Sequence, residues 1–248
     1  MAIALLLAWP MVAGAQHRKD FTTPTPLPPG DTLVIGFLGG IEKWKDINRR
    51  PVNELARRLR ESGLSGVYVE TAEHRHRDEV LKLIEDAAGR DPAKRGTCSP
   101  AGCRTIRIIL YGHSMGAAAA VRLARELKKQ GLPVALTVQV DSVGTSDGVI
   151  PSNVSRAANL YQDDSRLLHG QTLIRAEDPS KTTILANLHY TYDEKSVDLS
   201  EASIPEQILH SRHTQMEFDP EVWERVESYI LDELRRPLES AAVAAPAH

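Results

Sequence analysis

Short apolar runs alternate along most of the chain with segments whose apolar residues recur at helical spacing. Asp31–Gly40, DTLVIGFLGG, is β-branched and apolar and closes in glycines, which predicts a buried strand and a loop. From Pro51, PVNELARRLRESG repeats Val52, Leu55, Ala56 and Leu59 along one helix face, with Pro in the first turn and Gly63 as the stop. Gly66–Thr71 predicts a second strand. Arg77–Gly89 predicts a second helix with Val80, Leu81, Leu83 and Ile84 turned inward. Thr105–Gly112 is a third strand, and its helix runs from about Met115 to Gln130, where Gly131 ends it. Val134–Asp141 is a fourth strand. Strands and helices in this alternation predict an α/β fold: a mainly parallel sheet with helices on both faces.

After Asp141 the rhythm breaks. Residues 142–183 carry Gly, Ser, Asn and Asp clusters around one helical patch, Ser152–Gln162, and read as a long irregular excursion suited to a lid or insertion. Thr183–Tyr192 returns as a strand. A polar loop then carries His210 and His213, and Asp219–Arg236 is a last helix with Asp219 as cap and Pro220 at its first position. Residues 237–248 have no pattern and read as a frayed tail.

The N-terminal residues have another character. Ala2–Ala13 is apolar but too short to span a bilayer, and it runs into Ala13-Gly14-Ala15 and then polar QHRKD. That order predicts a signal peptide over 1–15, although no basic residue precedes the apolar run, and leaves an exported protein with no membrane span after processing. Residues 16–30, with TPTPLPPG, read as a Pro-rich extended spacer ahead of a folded body at 31–236. Export agrees with the two cysteines: Cys98 and Cys103 flank a Pro/Gly turn and are candidates for a short disulfide loop. Two cysteines with no histidine close in sequence do not make a four-ligand zinc site. With 42% apolar and 25% charged residues the composition is that of a globular domain, and a formal net charge of -3 with scattered Lys and Arg gives no basis for a nucleic-acid partner.

The chemistry concentrates where the third strand meets its helix. Gly112-His113-Ser114-Met115-Gly116 matches G-x-S-x-G in the strand-to-helix context that gives the pattern meaning. Such a turn is tight enough to strain the serine backbone, and side chains at the two flanking motif positions, Gly112 and Gly116, would collide with neighbouring elements. It lifts the hydroxyl above the carboxyl ends of the strands and turns the Met115 N–H, at the positive end of the helix, toward the same space. A nucleophilic serine needs a base and an orienting acid. Asp141 ends the next strand and so lies on the same sheet edge as Ser114; Asp193 and Asp198 are the alternatives. His213 is the preferred base, with His210 three residues away. His113 reads as packed beside the serine, His189 as a packed or surface strand residue, and His74 and His76 as solvated. A second oxyanion donor is expected from the loop after the first strand, where Leu38, Gly39 and Gly40 are candidates.

These residues resemble the α/β-hydrolase superfamily, and within it small secreted serine hydrolases of the esterase and lipase kind. The resemblance covers about Asp31 to Arg236 as architecture, and its sharp part is the elbow YGHSMG with the late histidine. It implies an α/β-hydrolase-like sheet, a Ser114–His213–Asp141 triad, no cofactor and no metal, and a small-molecule or lipid ester as substrate. An acid one strand after the nucleophile is similar to the arrangement in some lipases, whereas the commoner position is a strand later. The glycine loop follows the first strand in the chain, so the sheet is expected to lack the first two strands of the full fold. Acyl transfer, a thioesterase or amidase, and a non-catalytic binding domain are the competing readings.

Overall fold

The computed structural model describes residues 20–40, 49–90, 103–164, 169–209 and 211–237. The signal segment 1–15, Cys98, His210 and the tail from residue 238 lie outside the described residues. Strand β1 (Thr32–Leu38) is followed by α1 (Pro51–Glu61), β2 (Val67–Glu73), α2 (Arg77–Ala87), β3 (Arg107–His113), α3 (Met115–Lys129) and β4 (Val134–Val140). The second half contributes β5 (Val149–Ile150), β6 (Val154–Tyr161), β7 (Arg175–Ala176), β8 (Thr183–His189), α4 (Ile204–Leu209), α5 (Arg212–Phe218) and α6 (Pro220–Leu234). Six strands form one sheet in the order β2-β1-β3-β4-β6-β8, every pairing parallel; β5 and β7 pair separately. Among the described residues no strand precedes β1. The fold is α/β-hydrolase-like.

Period-two alternation sorts the strands between two cores. Leu33, Ile35 and Phe37 of β1 with Ile108 and Leu110 of β3 pack against α2 and α3. Val34 and Leu38 with Ile109 and Tyr111 pack against α1 and α6, joined there by Leu136, Val138 and Val140 of β4. Helices thus cover both faces, as a buried parallel sheet requires. The alanine run of α3 is buried, which lets that helix lie close to the sheet.

Two expectations are corrected. The helical patch at Ser152–Gln162 is strand β6, hydrogen-bonded between β4 and β8, so the stretch 142–183 contains a central strand and is not one irregular excursion. Its Ala157-Ala158 and its polar residues hide the strand pattern, because both faces are covered and the polar groups have specific partners. Arg156 donates to Glu233 of α6 at 2.5 and 2.6 Å, and Asn159 donates to the Gln171 carbonyl at 2.7 Å. The Pro-rich stretch is likewise no free spacer. Leu27 is fully buried in the α2–α3 core and its N–H donates to Ala87 O. Ahead of it, the N–H groups and hydroxyls of Thr22 and Thr23 all donate to Glu70 Oε1 at 2.8–3.2 Å.

Candidate active site

β3 ends at His113 and α3 begins at Met115, leaving Ser114 alone to turn the chain, with φ 55° and ψ -126°. That left-handed conformation is rare for a residue with a Cβ and is held here from several sides. Ser114 N–H donates to Val140 O at 2.9 Å, and its own carbonyl accepts from Ala117 and Val143. The flanking glycines are required by contact: a Cβ on Gly112 would stand 2.6 Å from the Gly116 carbonyl carbon, and one on Gly116 would strike the Phe37 carbonyl. Both glycines therefore let the first turn of α3 press onto β1 and β3.

Asp141 follows β4 directly and also has positive φ, 43°, with its N–H bonded to Leu160 O. Its carboxylate is fully buried and is gripped by Gln162, whose side-chain Nε2 donates to Oδ2 at 2.8 Å and whose backbone N–H donates to Oδ1 at 3.3 Å. Gly170 packs onto it so closely that a Cβ there would stand 2.7 Å from Asp141 Cα. His213 comes from the short helix α5, not from a loop; Ser211 caps that helix by accepting from Thr214 N–H. His213 Nδ1 lies 2.5 Å from Asp141 Oδ2, and Nε2 lies 3.0 Å from Ser114 Oγ. A carboxylate can only accept, so Nδ1 carries the proton, and Nε2 is left to accept from the Ser114 hydroxyl.

Three side chains spread over 99 residues of sequence are thus in one hydrogen-bonded row. Ser114 keeps 6% of its surface and His213 9%, so the row lies deeper than a hydroxyl perched on a bare turn would. The Leu38–Gly39 segment runs against the elbow: a Cβ on Gly39 would meet Ser114 Cβ at 2.8 Å and Met115 N at 3.3 Å. Gly40, with φ 90°, has open space where a Cβ would stand. Met115 N–H opens α3 on the same side, so the backbone groups expected to face an oxyanion border the serine.

The alternatives lie elsewhere. Asp193 is exposed and pairs with Arg212 at 3.0 Å; Asp198 is exposed and accepts from Ser200 N–H. His113 is buried beside the serine, and burial holds its pKa well below the usual imidazole range, with His213 and Arg50 pushing the same way. His189 ends β8, pairs with Asp163 at 2.6 Å and stacks on Tyr161. His74 and His76 are half-buried, not solvated. Burial lowers the pKa of His74, which hydrogen-bonds the backbone of Leu38. Gln162, Glu217 and Arg50 were not expected near the site. Gln162 falls in the stretch read as helix, and Glu217 faces the site only because His213 sits on a helix four residues before it.

No protein-family model matches the chain, and no curated protein matches it. Solved structures are similar to it. A cutinase-like protein from Cryptococcus sp. shares 12% identity over 85% of this chain and 98% of that one, with a TM-score of 0.41. An α/β serine hydrolase without lid from Xanthomonas campestris shares 12% over 92% of this chain and 96% of that one, with a TM-score of 0.42. At these scores neither bears on the residues of the site.

Among the described residues no helix is long and apolar enough to cross a membrane.

Proposed function

We propose that the protein is a serine hydrolase that cleaves carboxylic esters through an acyl-enzyme. The observation that carries the reading is the row Ser114 Oγ–His213 Nε2 at 3.0 Å and His213 Nδ1–Asp141 Oδ2 at 2.5 Å, on an elbow that starts a helix. As Ser114 Oγ attacks the acyl carbonyl, its proton passes to His213 Nε2 and the carbonyl electron pair moves onto oxygen. The Met115 N–H and a backbone N–H of the Leu38–Gly39 segment stabilise that oxyanion. Asp141 holds the tautomer and offsets the charge of the imidazolium. Collapse breaks the bond to the alkoxide, which takes the proton from His213 and leaves as alcohol. Water, deprotonated by His213, then repeats the attack on the acyl-enzyme, releasing the acid and restoring Ser114. No step draws on a metal or a cofactor.

The test is labelling by a fluorophosphonate probe together with a chromogenic ester series of increasing chain length. Labelling of Ser114, and loss of both labelling and turnover in a folded Ser114→Ala variant, is the expected result. A folded wild-type protein whose Ser114 is not labelled overturns the reading and leaves a binding domain. Transfer of the acyl group to an added alcohol in preference to water would reassign the same residues to an acyltransferase. We also propose that the protein is exported and cut after Ala15, with a Cys98–Cys103 disulfide; N-terminal sequencing of the protein recovered from a secreting host, beginning at Gln16, checks this.

A further inference from the structure

We propose that Glu217 is a positioning residue for His213 that acts through His113: anchored by Arg50, its carboxylate faces the His113 ring on which the His213 ring rests. The role given to His213 is that of the serine-hydrolase reading above, to which this adds a second carboxylate behind the base.

Helix α5 brings the two residues together. Glu217 is four residues after His213 and so projects from the same face of the helix. His213 reaches Ser114 of the elbow, and Glu217 reaches the adjoining His113. There Glu217 Oε1 lies 3.7 Å from His113 Nδ1 and accepts from Arg50 Nη1 at 2.8 Å. Arg50, just ahead of α1, also donates to Glu206 of α4 at 2.9 Å and lies over the Phe218 ring. Trp223 Nε1 donates to the Glu217 carbonyl at 2.6 Å and fixes the backbone at that end. The His113 and His213 rings stand 4.7 Å apart, tilted by 32°.

A wall that only filled space would be apolar, because a charged group so placed costs stability unless it is paired. Glu217 keeps 13% side-chain exposure and His113 3%. Burial pushes the Glu217 carboxyl up while Arg50 pulls it back, and the His213 charge pulls it the same way. Burial holds His113 neutral. The charged and titratable groups around the base are Asp141 from β4, Ser114 and His113 from the elbow, and Glu217 from its own helix. Arg50 and Glu206 stand behind them, and Arg212 of α5 is paired outward with Asp193. When His213 takes the serine proton, its new charge therefore meets a neutral ring with a carboxylate behind it, not a second cation.

The experiment compares the full chain with Glu217→Gln, Arg50→Gln and His113→Phe, and with the Glu217→Gln/His113→Phe double variant. It follows the His213 imidazole titration by histidine-selective NMR and kcat on a chromogenic ester. Glu217→Gln removes a negative charge from behind the His113 ring, so it should move the His213 titration to lower pH. It should also lower kcat about tenfold with KM unchanged. Arg50→Gln should move the titration to higher pH; a purely structural defect would not give opposite signs. In the His113→Phe background the Glu217→Gln shift should shrink. Folded variants whose His213 titration matches wild type, or Glu217→Gln shifts of equal size with and without His113, would overturn the proposal. The titration needs no turnover, so an unlabelled Ser114 with these shifts present would sink the hydrolase reading alone, and a labelled Ser114 with the shifts absent would sink this one alone.

Discussion

Gly39 and Ser114 stand so close that a β-carbon on the glycine would lie 2.8 Å from that of the serine. The same added atom would meet the His113 carbonyl at 2.5 Å, so backbone as well as side chain blocks it. Gly39→Ala must push the end of β1 away from the elbow, and with it the Leu38–Gly39 backbone that faces Met115 N–H. A displacement of about 1 Å at such a point costs about 100-fold in rate. The expected outcome is a kcat lowered by that order together with a lowered unfolding temperature, because the added carbon is blocked by backbone, read from ester kinetics and thermal denaturation.

Asp141 has one oxygen on His213 and is held by Gln162 through both its side chain and its backbone N–H. Asp141→Asn keeps the shape but lets Nδ1 of His213 face an amide donor, which selects the wrong tautomer. It should lower kcat by about 10⁴-fold. Gln162→Leu removes only the side-chain donor to a buried carboxylate, an interaction worth about 2 kcal/mol. It should lower kcat by about tenfold to thirtyfold. Single-turnover measurements on an activated ester would order the two variants.

What the sequence discloses and what it hides follow from how far each signal reaches. The elbow is legible because it is local: Gly112, Ser114 and Gly116 are fixed by contacts within one turn and with the strand beside it. β1, α3 and α6 are legible because their caps, stops and periods lie within the element. The order of elements puts Ser114 and Asp141 on one sheet edge, since consecutive parallel strands end on the same side. β6 is not legible. Its apolar run is interrupted by Arg156 and Asn159, whose partners lie outside the strand, in α6 and in the segment around Gln171. The same holds for Leu27, one apolar residue among prolines, whose pocket is made by α2 and α3. Glu217 and Arg50 meet across 167 residues, and nothing near either one announces the other.

His113 sets a pH dependence on stability. Its pKa in the folded protein lies below the ordinary histidine value of about 6.5, chiefly because it is buried. The folded state therefore binds fewer protons than the unfolded chain just below that pH. This contribution to stability is complete above about pH 6.5 and is lost as the pH falls through the folded value. Glu217, raised by burial, works the other way: its contribution is present below its unfolded pKa and is lost as pH rises through the folded one. His113→Phe removes only the first effect. Its unfolding temperature should gain on wild type steadily as pH is lowered from 7 toward 5, and parallel curves would refute the assignment.

Arg156 and Glu233 tie the late strand β6 to the last helix. The guanidinium donates twice to the carboxylate, at 2.5 and 2.6 Å, with side-chain exposures of 13% and 3%. From the same end of the sheet Arg107 donates to the carbonyls of Glu233, Leu234 and Arg236, closing the C-terminus of α6. Glu233→Ala removes the buried carboxylate to which Arg156 donates twice and should destabilise the fold by about 3 kcal/mol. An Arg156→Met/Glu233→Leu double variant, which replaces both charges by apolar side chains, should recover most of that loss. Urea denaturation of the three proteins measures it.

Leu27 decides whether the Pro-rich stretch belongs to the domain. Its side chain is fully buried with Leu33, Val80, Ile84 and Ile106, and its N–H is bonded to the end of α2. A tether would contribute nothing there, and its loss would leave unfolding unchanged. A core residue behaves otherwise: Leu27→Ala removes the transfer free energy of the lost methyl and methylene groups and leaves a cavity, about 3 kcal/mol together. Thr23 anchors the same stretch from the other side through Glu70, so Glu70→Gln should weaken the attachment by a smaller amount, about 1 kcal/mol. The two substitutions share one segment and should fall short of additivity when combined. Thermal unfolding of both variants and their combination tests this, and a wild-type unfolding temperature in Leu27→Ala would return residues 20–30 to the status of a linker.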